Sequence, residues 1–138
     1  MLHAAFTQQL LVQAFWHRSV DVDLVVTDPC GNLLSQRDLL TADCVGQTSR
    51  VTVSHSCAAP SMQSRFERII IGGFPPPPGE YIVSASYAAF SPGDPDCAGF
   101  GPEDVTAVVH RYDMPARWRT VTIAPGEMRI EILRFTLP

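Results

Sequence analysis

Apolar side chains recur at every second position through much of this chain, and prolines and glycines break the pattern at short intervals. Leu10, Val12, Ala14 and Trp16 alternate with Leu11, Gln13, Phe15 and His17; Val22, Leu24 and Val26 alternate with Asp21, Asp23, Val25 and Thr27. Successive side chains of an extended chain leave on opposite faces, so this pattern specifies strands with one apolar face. No segment carries a sustained i, i+3, i+4 apolar repeat with capping residues, so very little helix is expected. A chain of 138 residues, 46% of them apolar, is long enough for one real core. The expectation is an all-β single β-sandwich domain over residues 1–138. It is built from about eight or nine short, mostly antiparallel strands, Ig-like or jelly-roll-like. Residues 1–9 are left as a candidate N-terminal arm.

The strands can be placed along the chain. After the runs at 10–16 and 22–26, Asp28-Pro29-Cys30-Gly31 fits a type I turn, with a hairpin return through Leu33 and Leu34. Asp at the first turn position bonds forward to the backbone, Pro sets φ at the second and Gly suits the fourth. Residues 36–65 are polar and predict only one short strand near 50–54. Phe66 to Ile71 reads as a buried strand. The four prolines of GGFPPPPGE favour an extended, ladder-free segment that bridges two sheets or, as the alternative, serves as a recognition ligand. Pro78-Gly79 then turns into a strand with Tyr81, Val83, Ala85 and Tyr87 on one face and Ser84 and Ser86 on a wet one. Residues 91–104 read as a loop, Val105–Tyr112 and Arg117–Ile123 as strands, and Ala124–Glu127 as a tight turn. In the last strand Met128, Ile130 and Ile132 share a face, and Leu133, Phe135 and Leu137 continue one position out of step. A β-bulge at Ile132-Leu133 keeps all six inward.

Charge and residue choice exclude several functions. A net charge of −4 argues against nucleic-acid binding. All ten basic residues are arginine, which rules out lysine Schiff-base chemistry, a Walker-type phosphate loop and lysine–asparagine isopeptide bonds. A GC-rich genome is the simplest cause. No apolar run reaches the length of a membrane-spanning helix, and the first residues lack the basic start and cleavage site of a signal peptide. There is no GxSxG nucleophile elbow. His3, His17, His55 and His110 have no metal-ligand spacing, and Glu80, Glu127 and Glu131 fall in turns or on strand surfaces. No enzyme activity is expected.

Cys30, Cys44, Cys57 and Cys97 form no CxxC pair. Their even number in turn-rich segments suits two disulfides, for which three pairings exist. Cys30–Cys44 with Cys57–Cys97 is favoured, because each bond would staple a long polar loop to a strand edge, stabilising by about 3 kcal/mol in the chain-entropy model. Four reduced thiols in a cytosolic protein are the alternative.

Trp16, then Asp21-x-Asp23-Leu24-x-Val26-x-Asp28-Pro29-x-Gly31, then Pro77-Pro78-Gly79-x-Tyr81 resembles a bacterial domain of unknown function carried by YfaP-type proteins. That domain is similar in build to the pre-peptidase C-terminal β-sandwiches of secreted enzymes. The resemblance spans about Leu10 to the closing RFTLP. It implies an accessory all-β domain, exported to the periplasm or cell exterior, with no catalytic residues. Many members carry a second acidic pair about thirty residues after the first; here that region reads SRVTVSHSC, without a carboxylate.

Candidate site residues are chosen by the chemistry of each group. Asp21 and Asp23, which share a strand face with Asp28 out of phase, are read first as fasteners to backbone amides or an arginine. A calcium site taking all three, Asp21, Asp23 and Asp28, is the alternative, since that cation takes six to eight oxygens; no other cofactor is expected. Asp94, Asp96, Glu103 and Asp104 read as a solvated acidic loop. Trp16 is assigned to the core. Trp118, with Arg117 and Arg119 beside it and Tyr112 near, is the candidate contact with a partner. The expected function is a non-catalytic exported module binding a protein or glycan surface, without nucleic-acid binding or membrane insertion. The alternatives are a structural subunit of a homopolymeric extracellular assembly (a filament, sheath or particle coat) joined through edge strands, and an accessory domain of a secreted enzyme.

Overall fold

The computed structural model describes residues 10–18, 20–35, 40–42, 48–56, 65–72, 76–88, 101–111 and 113–138, with 40–42, 48–56, 65 and 72 described by backbone alone. These residues form two antiparallel sheets and no helix. In chain order the strands are β1 (Leu10–Trp16), β2 (Asp21–Thr27), β3 (Leu33–Leu34), β4 (Leu40–Ala42), β5 (Thr48–Ser56), β6 (Arg65–Gly72), β7 (Gly79–Ala88), β8 (Glu103–Arg111), β9 (Met114–Ile123) and β10 (Ile130–Leu137). One sheet has six strands in the order β4-β5-β6-β1-β8-β9, the other four in the order β10-β7-β2-β3. The fold is a β-sandwich, as the alternation predicts. The extra strand is β4, three residues inside the polar 36–65 stretch, too short to register as a pattern. β5, β8 and β9 each begin earlier than expected.

Period-two burial carries the architecture. β1 alternates buried and half-buried from end to end, and β2 does the same in opposite phase. Leu10, Val12, Ala14 and Trp16 from one sheet meet Val22, Leu24 and Val26 from the other, joined by Ile69, Ile71, Val105, Ala107 and Val109. Burying each of the larger aliphatic side chains contributes about 2 kcal/mol, so a register slip that turned a strand over would forfeit several such contributions at once. The chain passes from β6 in one sheet to β7 in the other through the proline run, where Pro76 and Pro77 are buried outside either ladder.

The bulge in β10 lies where the phase shift demands it. Glu131 pairs with Ser84 and Leu133 with Val83, leaving Ile132 as the extra residue. Ile132, Leu133, Phe135 and Leu137 are buried and Ile130 packs against the core. Met128 is a correction to the expected inward set: it is 67% exposed, because the chain is still leaving the Ala124–Glu127 turn and has not joined the ladder. That turn is closed by the Glu127 amide donating to the Ala124 carbonyl, with Gly126 at φ +89°, as a type II turn with Pro at its second position requires. Ser84 and Ser86 are also corrected. They are buried rather than wet, since β7 is flanked by β10 and β2 along its length and the Ser86 hydroxyl accepts from the Arg129 amide.

The sheets are also joined by a buried carboxylate that pattern reasoning passes over. Glu67 of β6 is fully buried, and its Oε1 accepts a 3.1 Å hydrogen bond from the Leu24 amide of β2. β3 pairs only with Val26 and Thr27, so on the side away from β7 the β2 backbone upstream of them has no strand neighbour among the described residues. Glu67 supplies an acceptor there.

Candidate interaction surface

The acidic residues of the second strand do different jobs. Asp21 and Asp23 lie half-buried on the outer face of β2, opposite Ala88 and Ser86. Asp28 is buried in the β2–β3 hairpin, separated from them by the strand's phase. Its Oδ1 accepts from the Cys30 amide at 2.9 Å and the Asn32 amide at 2.8 Å, and its Oδ2 from the Asn32 side chain at 3.0 Å. The Gly31 amide donates to the Asp28 carbonyl and the Asp28 amide to the Asn32 carbonyl, with Gly31 at φ +84°. This is a three-residue hairpin loop, a type I turn followed by a left-handed glycine. Among the described residues no three His, Cys, Asp or Glu side chains gather as metal ligands would. Asp28 is therefore a fastener of the turn. Asp28→Ala is expected to cost about 2 kcal/mol, because it leaves backbone donors without an acceptor in a partly buried turn; Asp28→Asn, which keeps one carbonyl oxygen, is expected to lose less than half of that in urea unfolding.

The two motif segments meet in space. A Cβ placed on Gly79 would lie 2.8 Å from Pro29 Cβ and 2.9 Å from Pro29 Cγ, so the proline of the first segment packs directly on the glycine of the second. Two residues on, the Tyr81 hydroxyl donates to the Pro77 carbonyl at 2.7 Å while its ring stacks on Phe135 at 5.1 Å. Such a tyrosine corner ties a strand start to the chain just upstream. The Trp16 indole likewise donates to the Val20 carbonyl at 2.9 Å and is buried. Each of these motif residues serves the fold.

Of the second acidic group, Glu103 and Asp104 open β8. Glu103 is buried, against the expectation of a solvated loop. Its Oε2 accepts from Arg18 Nε at 2.6 Å and its Oε1 from the His17 amide at 3.2 Å, while Arg18 also donates to the Pro102 carbonyl. Arg18, half-exposed at the end of β1, thus locks onto the start of β8; a lone arginine eighty-odd positions from its carboxylate carries no sequence signal. The Tyr87 hydroxyl donates to the Gly101 carbonyl nearby, and burial pushes its acidity to higher pH. Asp104 is exposed and accepts from Thr122 of β9. Asp94 and Asp96 lie outside the described residues.

The residues assigned to partner contact stand on β9, the edge of the six-stranded sheet. Arg117 and Arg119 pair in register with Val109 and Ala107, and Trp118 with Val108. Trp118 therefore leaves on the outer face and the arginines on the opposite one. Residues 115–120 are all exposed, and Trp118 is exposed by 70%. The arginines extend their field toward β10: the Glu131 carboxyl lies below the usual carboxylate range, first because Arg134 hydrogen-bonds to it and more weakly because Arg119 is near. Along the outer face Leu11, Phe15, Phe66, Ile70 and Val108 are half-buried, and the Arg68 guanidinium lies 5.5 Å from the Phe66 ring centroid. Tyr112, the fourth member of the expected group, lies outside the described residues.

Cys30 lies in the β2–β3 hairpin loop; Cys44, Cys57 and Cys97, like residues 1–9, lie outside the described residues. No protein-family model, curated protein or solved structure matches this chain.

Proposed function

We propose that this chain is a non-catalytic, exported interaction module that binds a protein surface through β9. The observation that carries this reading is an edge strand with a tryptophan and two arginines exposed together. At ten residues β9 is a long edge for a monomeric sandwich, and Pro115 with the inward-facing arginines guards it against neutral strands while leaving it open to an acidic one. Tryptophan and arginine are the residues most enriched where interfaces hold their binding energy. Disulfides among the four cysteines, whose even number in turn-rich segments suits them, would fit an oxidising compartment outside the cytosol. The YfaP-type resemblance rests on the motif residues themselves, and the contact between Pro29 and Gly79, with the Tyr81 corner beside it, gives those residues a structural role in the fold. As a structural subunit, the chain would need self-pairing edges, and β9 is poorly suited because pairing it with its own copy brings arginines together. The chain as an accessory domain of a secreted enzyme is compatible with the same surface.

The reading is tested by panning wild type and Trp118→Ser against a peptide-display library and a glycan array. Trp118 is so exposed that the substitution should change unfolding free energy by no more than about 0.5 kcal/mol, yet peptides enriched by the wild type should be lost. Enrichment of glycans in place of peptides would move the partner to carbohydrate. Wild-type and variant protein that enrich the same peptides would remove β9 as the binding surface.

A further inference from the structure

If β9 is a binding surface, as proposed above, its backbone and its charges also specify the chemistry of the partner. β9 runs ten residues from Met114 to Ile123 and has one ladder neighbour among the described residues, β8. Alternate residues of an edge strand turn their N–H and C=O groups away from the sheet, ready to pair with another chain. Pro115 removes a donor only near the start of the strand, so the pairing stretch centres on Trp118. The other sheet ends are less open: β3 has two residues and β4 three, and on β10 Glu131 and Arg134 close an ion pair on each other.

Charge then selects the occupant. A second copy of β9, paired antiparallel about Trp118, would set Arg117 opposite Arg119 twice over. Centring the pairing on either arginine sets that arginine opposite itself. Like charges directly opposite destabilise a ladder, and opposite charges stabilise it. Glu131 feels Arg119 but spends its carboxylate on Arg134, so the guanidinium groups of β9 still call for acidic partners. We infer that β9 is a docking edge for an extended acidic segment of a partner protein. The segment adds to the six-stranded sheet, placing carboxylates at alternate positions beside Arg117 and Arg119 and the apolar residue between them against Trp118. Backbone pairing supplies the affinity, and the acidic–apolar–acidic spacing supplies the choice, as in other strand-addition complexes.

The test uses the whole chain and three short synthetic peptides: one with Glu-Val-Glu between threonine flanks, one with Lys-Val-Lys in the same flanks, and the first with alternate amides N-methylated. Binding is read by anisotropy of labelled peptide and by shifts of the β9 amides in NMR spectra. The acidic peptide should bind at least about tenfold more tightly than the lysine peptide, a difference of about 1.4 kcal/mol. N-methylation should abolish binding. The double variant R117E/R119E, both positions being exposed, should keep its melting temperature and reverse the preference. Equal binding of the acidic and lysine peptides, tolerance of N-methylation, or no binding of the acidic peptide would each overturn the inference. If the acidic peptide fails while ligands from the display library still need Trp118, strand addition falls and the interaction module stands. If both fail, the module reading falls too. Self-association of the free protein that R117E/R119E alters would assign the edge to a second copy instead.

Discussion

Gly79→Ala is expected to destabilise the protein by about 3 kcal/mol and to lower its melting temperature by about 10 °C. Two costs combine. The φ of Gly79 is +128°, a region that side chains with a Cβ rarely enter. The added methyl would also overlap the Pro29 ring, with contacts of 2.8 and 2.9 Å to two of its atoms. Gly126 separates the two causes. Its φ is +89° but nothing lies within 4 Å of a Cβ there, so Gly126→Ala should cost only about 1 kcal/mol through the backbone. A double-mutant cycle adds a second check. Pro29→Gly removes the clashing ring, and combined with Gly79→Ala it should recover about 1–2 kcal/mol relative to additivity. If Gly79→Ala proved no worse than Gly126→Ala, the contact between the two motif segments would not be the reason for glycine at this position.

Glu67→Ala is expected to cost about 3 kcal/mol in denaturant unfolding, since it strands the buried Leu24 amide and opens space between the sheets. Glu67→Gln retains an oxygen able to accept from that amide and should cost well under half as much. The comparison separates the loss of acceptor and volume together from the loss of charge alone. A glutamate in a strand otherwise made of aromatic, arginine, isoleucine and glycine residues reads as an exposed position by residue type. Its phase says otherwise, because Glu67 shares its parity with Ile69 and Ile71, which are buried. Equal losses from Ala and Gln would mean that the carboxylate's charge, which both variants remove, matters more than its volume or its bond to Leu24.

Much of the fold was legible because burial in a sandwich has a short period. β1, β2, β7 and β10 were placed from alternation alone, and the bulge at Ile132 was marked by the one place where the phase breaks. The hairpin turn at Asp28 and the type II turn at Gly126 were legible because proline and glycine have few permitted conformations. The exposure of Trp118 was legible because it opposes Val121 and Ile123 in phase. Arg117 and Arg119 share the phase of those two residues yet are exposed, because β9 is the edge of its sheet, which alternation does not reveal. The other misses were non-local too. β4 is too short to carry a pattern. Ser84 and Ser86 are buried only because β7 became an inner strand of its sheet, and Glu103 is buried only because Arg18 arrives from a distant part of the chain.

The order of apolar and polar residues by itself determined that this chain forms strands, which of their faces turn inward and where the backbone must bend, because those choices depend on neighbours along the chain. Only the tertiary structure decided which strands became edges, that Pro29 rests on Gly79, that Glu67 serves the amide of Leu24, and that Arg117, Trp118 and Arg119 share an open strand. Each of these depends on which segments pair across the sheets, and pairing is set by the summed burial of the whole sandwich, which no local stretch encodes.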